Sequence, residues 1–278
     1  MPDIQKINTI DIGNIEKVNR VTGANIEEVD GQAFVTFTAQ DFTFNSSQTF
    51  AIPAGTNHFD ITVIAGGGCG ASANYQNQSG HGGGGAGVAQ ATENTGGRIA
   101  RTATNANNMT ITVGAGADNN NGTAGGTSEV VATGMTSVVA NGGVSAQTNS
   151  SPWRWLGADN NHRANGGTGS GGNTHTTGGQ GGNISGNSRN GNSGGCGGGG
   201  GGANNNTQYY GGSGNIGGDG GQGGIGTGPG AGNGGADGDA PGGGGGGGGQ
   251  AYYYGGPKGV GAGGRIILKT RSASTGNT

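Results

Sequence analysis

Apolar and polar residues alternate along several short stretches of the chain, which is the pattern of β-strands with one buried face. The clearest stretches are residues 59–64 (Phe-Asp-Ile-Thr-Val-Ile) and 109–113 (Met-Thr-Ile-Thr-Val). The pattern predicts strands at residues 34–38, 49–53, 59–64, 109–113, 129–131, 136–139 and 264–270. We predict that the last of these pairs with residues 59–64, so that the chain leaves the β region and returns to it.

The first 33 residues contain a short pattern that recurs with a spacing of eleven. Its copies are Ile4-Gln-Lys-Ile-Asn8, Ile15-Glu-Lys-Val-Asn19 and Ile26-Glu-Glu-Val-Asp30. An eleven-residue period suits a helical supercoil, but the intervening glycines and the Ile, Val and Thr content favour short strands with turns.

Units this small cannot bury their own apolar face, so they must stack on neighbours or on other chains. We therefore predict that residues 1–33 form an attachment or oligomerisation segment, with a flexible linker as the alternative. The apolar positions that would make the contact are Ile4, Ile7, Ile15, Val18, Ile26 and Val29.

Glycine dominates residues 157–264, where it occupies 50 of 108 positions. Glycine weakens strand interiors and is still less suited to α-helix. The remaining regular conformation is the extended threefold polyglycine-II helix, which has no internal hydrogen bonds and can bond to neighbouring segments. The predicted fold is mainly β with a region of packed polyglycine-II helices and almost no α-helix. The predicted division is residues 1–33 (repeat segment), 34–156 (β-rich head), 157–263 (polyglycine-II region) and 264–278 (closing strand and tail).

Composition narrows the classes of protein to which the chain can belong. Glycine occupies 75 of 278 positions in irregular runs with only 6 prolines, which excludes collagen. A charged fraction of 10% is unlike that of disordered chains, and a net charge of −3 argues against a nucleic-acid partner. No apolar stretch approaches the roughly 20 residues of a membrane span, and no signal peptide is visible, so we expect no membrane insertion.

Candidate catalytic and metal-binding residues are few. Residues 191–195 match the G-x-S-x-G pattern around Ser193, but glycine is so frequent that composition explains the match, and no flanking strand and helix are predicted. Asp219, Asp237 and Asp239 lack the period of calcium-binding glycine repeats. Two cysteines are too few for a disulfide framework or a metal site. We expect two buried thiols rather than one long-range disulfide, no cofactor, and no enzymatic activity.

The informative residues are aromatic clusters that interrupt the glycine-rich region. An aromatic side chain inside packed glycine segments would force the backbones apart, so we predict that these clusters lie in connecting loops. Exposed Tyr and Trp residues provide large contact areas at low entropic cost, which favours a role in recognition. The alternative role is to cap the glycine layers. The residues are Trp153, Trp155, Tyr209, Tyr210, Tyr252, Tyr253 and Tyr254.

Several of these motifs, taken in order, resemble glycine-rich domains of phage tail fibres. The matching motifs are a Pro-Ala-Gly turn at residues 53–55, an alternating strand and glycine run at 60–68, and the motifs at 82–88, 109–116 and 263–268. The glycine runs with aromatic interruptions are similar to distal adhesins of T-even-like phages, in which polyglycine-II helices stack in layers and loops at one end contact host receptors.

The resemblance implies a non-enzymatic virion fibre or adhesin, assembled in the host cytoplasm and present on the virion. Its implied partners are a host surface receptor (protein or glycan) and either identical copies, with a trimer preferred, or another fibre or virion protein. By resemblance, the three aromatic clusters are the receptor-facing candidates. The alternative is a purely structural glycine-rich filament or a virion decoration protein.

Overall fold

A computed structural model describes most of the chain. The described residues are 37–73, 80–101, 107–119, 122–147, 164–183, 190–202, 208–226, 232–250 and 255–272, together with six two-residue strands between residues 6 and 33. The strands are β1 (Lys6–Ile7), β2 (Ile10–Asp11), β3 (Lys17–Val18), β4 (Val21–Thr22), β5 (Glu28–Val29), β6 (Gln32–Ala33), β7 (Gln40–Phe44), β8 (Gln48–Ala51), β9 (His58–Ile64), β10 (Val88–Ala91), β11 (Ile99–Ala100), β12 (Asn108–Thr112), β13 (Ser128–Val131), β14 (Val138–Ala140), β15 (Gly169–Ser170), β16 (Thr174–Thr176) and β17 (Arg265–Arg271). A single-turn 3-10 helix spans Glu93–Thr95.

The longer strands form two antiparallel sheets that pack face to face. The first has the order β16-β10-β9-β17-β7, with β11 pairing to the start of β9. The second has the order β15-β14-β13-β12-β8. No α-helix occurs in the part of the chain that the structure describes. The prediction of a mainly β protein is therefore confirmed.

The core lies between the two sheets and follows the alternation in the sequence. Phe59, Ile61 and Val63 of β9 point inward and are at most 1% exposed. Opposite them, the second sheet contributes buried side chains such as Met109 and Val130. Full burial of a side chain of this size stabilises a fold by about 1.5–3 kcal/mol, so these few alternating stretches hold the sandwich together.

The predicted pairing of the closing strand is confirmed. β17 lies beside β9 with Leu268 opposite Ile61, and its other edge pairs with β7. Of the strand predicted at residues 34–38, residues 34–36 lie outside the described residues, and residues 37 and 38 are not in a strand. The first strand of the sandwich, β7, begins at Gln40, which pairs with Thr270 near the end of β17.

The segment before residue 37 contains three hairpins, β1–β2, β3–β4 and β5–β6. Each begins eleven residues after the previous one, in step with the sequence repeat. The pairs next to the turns are Ile7 with Ile10, Val18 with Val21, and Val29 with Gln32. Two residues connect the strands of each hairpin, which is the commonest hairpin connection.

A glycine array extends from one end of the sandwich. We use this name for the described segments 65–73, 80–87, 114–117, 122–127, 141–147, 164–168, 177–183, 190–202, 208–226, 232–250 and 255–264. Several are direct continuations of strands: β9 runs into 65–73, and 255–264 runs into β17. Their backbone groups bond mainly to other segments of the array. The array draws segments from both sides of residue 157.

The run at residues 242–249 lies at the centre of the array. All eight residues are buried, all eight N–H groups donate, and all eight carbonyl groups accept, at 2.8–3.0 Å. Every third N–H reaches the same neighbour: Gly243, Gly246 and Gly249 donate to residues 239, 236 and 233. The neighbours that surround the run are segments 65–73, 80–87, 190–202, 217–226, 232–240 and 255–264.

Candidate binding end of the glycine array

The array segments end together on the side away from the sandwich. Ala73 donates to Gly256, Gly80 to Gly248, and Gly249 to Asn233, so the ends of separate segments lie side by side. We call this end the array tip and define it by Ala73, Gly80, Gly202, Asn233, Gly249 and Gly256. Six connections outside the described residues begin and end near it, at residues 74–79, 148–163, 184–189, 203–207, 227–231 and 251–254.

Residues 1–36 join the body at its opposite end. In the first sheet the array begins after Ile64, which pairs with Arg265 at one end of β17. At the other end of β17, Arg271 pairs with His58 and Thr270 pairs with Gln40, the first residue of β7. The repeat segment therefore joins the sandwich at the end opposite to the one from which the array extends.

Most of the predicted site residues lie outside the described residues. These are Trp153, Trp155, Tyr252, Tyr253 and Tyr254 among the aromatic residues, and Ile4, Ile15 and Ile26 in the repeat segment. Ile7, Val18 and Val29 lie in β1, β3 and β5, of which only the strand pairing is described.

Tyr209 and Tyr210 are the described part of the predicted aromatic set. The Tyr210 side chain is 57% exposed, whereas Tyr209 is half-buried. The Tyr210 N–H donates to Asn190 Oδ1 at 3.0 Å, and its carbonyl accepts from the Gly191 N–H at 2.9 Å. The Tyr209 carbonyl accepts from the Gly223 N–H at 2.9 Å. Hydrogen bonds to neighbouring array segments thus fix the backbone of Tyr210, whose aromatic ring is exposed.

Neutral polar side chains lie near this position, and the aromatic pattern of the sequence did not indicate them. Gln208 Nε2 donates to Gln222 Oε1 at 2.6 Å, and the Ser213 N–H donates to Ser193 Oγ at 3.2 Å. A signal for the exposed positions is present in the sequence: Asp219, Gln222 and Ile225 recur at every third residue between glycines. In a segment with three residues per turn, that spacing places side chains on one side.

The nucleophile-elbow motif around Ser193 does not have the structure that this motif requires. Residues 190–202 contain neither a strand nor a helix. The Ser193 hydroxyl oxygen is instead a hydrogen-bond acceptor for the backbone of an adjacent segment. Within the described residues, no group of three or more His, Cys, Asp or Glu side chains could hold a metal ion.

Both cysteines are buried free thiols, which confirms that expectation. Cys196 belongs to the hydrophobic core, and burial raises the pKa of its thiol to about 12. The Cys69 thiol donates to the Asn119 carbonyl at 2.6 Å, and Lys258 Nζ lies 3.7 Å from its sulfur.

A cluster of charges lies on the outer face of the first sheet, near the end at which residues 1–36 enter. Asp60 is almost fully buried, and its carboxylate contacts Arg98 Nε at 3.0 Å and Arg271 Nε at 3.4 Å. Burial, followed by the nearby Arg98 charge, lowers the pKa of His58. Removing one partner of a buried ion pair is strongly destabilising, so this cluster fastens residues 93–101 to the sheet.

A search for membrane-spanning helices among the described residues finds none that is long and apolar enough. A search of curated proteins finds no match to the chain. The sequence model of a family described as a glycine-rich domain matches residues 43–271, from β7 to the last residue of β17. That match covers the sandwich and the array together. The chain therefore belongs to the glycine-rich domain family.

Proposed function

We propose that this protein is a non-enzymatic virion fibre or adhesin of a bacteriophage, which contacts the host cell surface through loops at the array tip. The observation that carries the proposal is the separation of the two ends. The array segments end side by side at the tip, whereas the repeat segment joins the opposite end of the sandwich. Such a body can be anchored at one end and can bind at the other.

We further propose that the array segments are polyglycine-II helices. The three-residue period of the bonds made by residues 242–249 supports it, since this helix has three residues per turn. So does the number of neighbours, because a helix without side chains can be surrounded on all sides by backbones at hydrogen-bonding distance. Eight residues in this conformation span about 25 Å at 3.1 Å per residue.

A rigid array of this kind suits recognition by loops. Binding loses affinity when loops and side chains must be ordered. The Gly256 N–H donates to the Gly249 carbonyl. This hydrogen bond holds together the two ends of the connection at residues 251–254, and it therefore lowers the entropic cost of ordering that connection on binding. The connections at 148–163 and 251–254 contain Trp153, Trp155, Tyr252, Tyr253 and Tyr254, the residue types that dominate binding hot spots.

Alanine replacement of Trp153 and Trp155, and separately of Tyr252, Tyr253 and Tyr254, tests the adhesin function. We expect each variant to fold and to adsorb at least about tenfold less to susceptible host cells, because a central Trp or Tyr commonly contributes about 2 kcal/mol or more. The measurement is adsorption of the labelled full chain to cells, with folding checked by thermal unfolding.

The matched control is Ile216→Ala, since Ile216 is 37% exposed. Its N–H donates to the carbonyl of Gly195, which lies against Val88 of β10 in the sandwich. This variant should adsorb like the parent protein. If the aromatic variants also adsorb like the parent, the aromatic residues are caps. If the parent protein itself does not adsorb, the favoured function becomes that of a structural filament or a virion decoration protein.

Residues 1–33 are proposed to join the chain to identical copies, as a trimer, or to another virion protein. Hairpins with two-residue strands are not stable alone in water, so three in succession need a partner surface. Deletion of residues 1–33 should leave a folded body of residues 34–278 that is monomeric and is not incorporated into particles.

Light scattering of the parent and truncated proteins measures this change, and urea unfolding provides the control that the body is intact. The truncated chain keeps both sheets of the sandwich and the whole array, so we expect the stability of the body to be nearly unchanged. An unaltered oligomeric state together with unaltered particle incorporation would show that the contacts lie elsewhere.

A further inference from the structure

We propose that the surface around Tyr210 is a binding site for a neutral glycan of the bacterial cell envelope, an inference that rests on the proposed adhesin function and names its receptor class. We call this surface the Tyr210 face. It consists of six exposed residues, Asn190, Ser193, Gln208, Tyr210, Ser213 and Gln222.

The Tyr210 face is continuous across three adjacent segments of the array. The bond from the Tyr210 N–H to Asn190 Oδ1 joins segment 208–214 to segment 190–193 on one side. On the other side, the Gln208–Gln222 side-chain bond and the bond from the Gly223 N–H to the Tyr209 carbonyl join it to segment 217–226. Gln208 is the first described residue after the connection at 203–207, so the face adjoins the array tip.

After the hydrogen bonds within the Tyr210 face are formed, donors and acceptors remain that can bind the hydroxyl groups of a sugar. Asn190 Oδ1 and Gln222 Oε1 accept bonds within the face, which leaves the amide N–H groups of both residues as donors. Gln208 Oε1 and the Tyr210 hydroxyl provide acceptors. Asn190 contacts the Tyr210 backbone, and Gln208 lies two residues before Tyr210 in the chain. The Tyr210 side chain is 57% exposed, so the apolar face of its ring can cover the C–H face of a pyranose ring.

Charge and apolar content favour a glycan over a protein or an ionic ligand. None of the six residues is charged. The nearby Asp219 carboxylate accepts the Gly214 N–H at 2.7 Å. A protein hot spot places clustered apolar anchors in a dry pocket, whereas this face has a single aromatic ring among exposed amides and hydroxyls. A ligand that has many hydroxyl groups and no charge therefore matches this surface best.

The experiment measures binding of the labelled full chain to susceptible cells after two treatments. Periodate oxidises the vicinal diols of sugars, and proteinase K removes surface proteins. We expect periodate to reduce binding at least tenfold and proteinase K to leave it within about twofold. On untreated cells, Tyr210→Ala and Gln222→Ala should each reduce the amount of bound protein at least about tenfold, as expected for the loss of a central contact. Tyr210→Phe retains the ring and should stay within about threefold.

The outcomes separate this inference from the proposed function. Ile216→Ala serves as the control and should bind like the parent protein. If proteinase K abolishes binding and periodate does not, the receptor is a protein and the glycan inference is overturned, while the adhesin function stands. If periodate abolishes binding but both alanine variants bind normally, the glycan site is not the Tyr210 face. If the parent chain binds no susceptible cells, the proposed function itself is wrong.

Discussion

Replacing Gly246 with alanine should lower the free energy of unfolding by about 3 kcal/mol or more, the upper range for a side chain forced into a packed interior. An added Cβ would lie 2.0 Å from the Gln222 carbonyl oxygen and 2.6 Å from its carbon. Gly246 cannot move away, because its N–H donates to Ala236 and its carbonyl accepts from Gly259, both at 2.8 Å. Any shift that relieves the contact breaks these bonds.

Gly263→Ala is the matched control for this substitution. An added Cβ at Gly263 meets no heavy atom within 4 Å. The same chemical change should therefore be nearly neutral, or stabilising by up to about 1 kcal/mol through a less flexible unfolded chain. Urea unfolding of both variants, followed by circular dichroism, makes the comparison.

Equal stability of the two variants would mean that residues 242–249 are not closely packed against their neighbours. That result would contradict the central place of this run in the array and, with it, the proposed polyglycine-II helices. A large difference between two glycine-to-alanine changes would instead attribute the effect to contact with neighbouring backbones, since the change in helix and strand propensity is the same.

The sandwich was largely predictable from the sequence because its signal is carried by side chains. The alternation of apolar and polar residues in β9 predicts one buried face, and Phe59, Ile61 and Val63 do lie in the core. Asp60 and Thr62 between them are buried as well, which the alternation does not predict. The partner of β17 was also predictable, since its apolar residues need a similarly apolar strand beside them. The buried Asp60–Arg98 pair was not predicted, because its partners are 38 residues apart and only the pairing of β11 with β9 brings them together.

The neighbours within the array could not be predicted, for a physical reason. Glycine segments carry no side chains that distinguish one neighbour from another, so the sequence of residues 242–249 is compatible with any partner. What selects the partners is the sandwich: strands that are adjacent in a sheet deliver their glycine continuations side by side, as β9 and β10 do for 65–73 and 80–87. Gly68 donates to Gly84 in this pair.

The proposed binding surface was predicted only in its aromatic part. Tyr210 was visible as a rare large residue in a glycine-rich region, and its exposure agrees with a position at the surface. The three-residue spacing marks Gln222 as an exposed position, but neither Gln222 nor Asn190 could be assigned to this surface, because that depends on which segments lie beside residues 208–214. The tertiary arrangement alone supplies that information.

Ending the chain after Gly264 should abolish folding of both the sandwich and the array. β17 lies between β9 and β7, pairs with seven residues of the first and five of the second, and buries Ile266 and Leu268 completely. Without it, β7 loses the strand that joins it to the first sheet. The array depends on the same sheet for the alignment of its segments, so we expect a single loss of structure. Circular dichroism and limited proteolysis of the truncated chain measure it.

Three further variants test whether the loss of structure comes from β17 itself. A chain that ends after Ser272 retains all of β17 and should unfold like the parent protein. Within β17, Leu268→Ala should cost about 2–5 kcal/mol, the range for a buried leucine. Ile267→Ala should cost less, because Ile267 is only half-buried on the opposite face of the sheet. If the chain that ends at Gly264 still shows a protease-resistant array, the array folds without the sandwich. The alignment of glycine segments would then originate within the array rather than in the strands that precede and follow it.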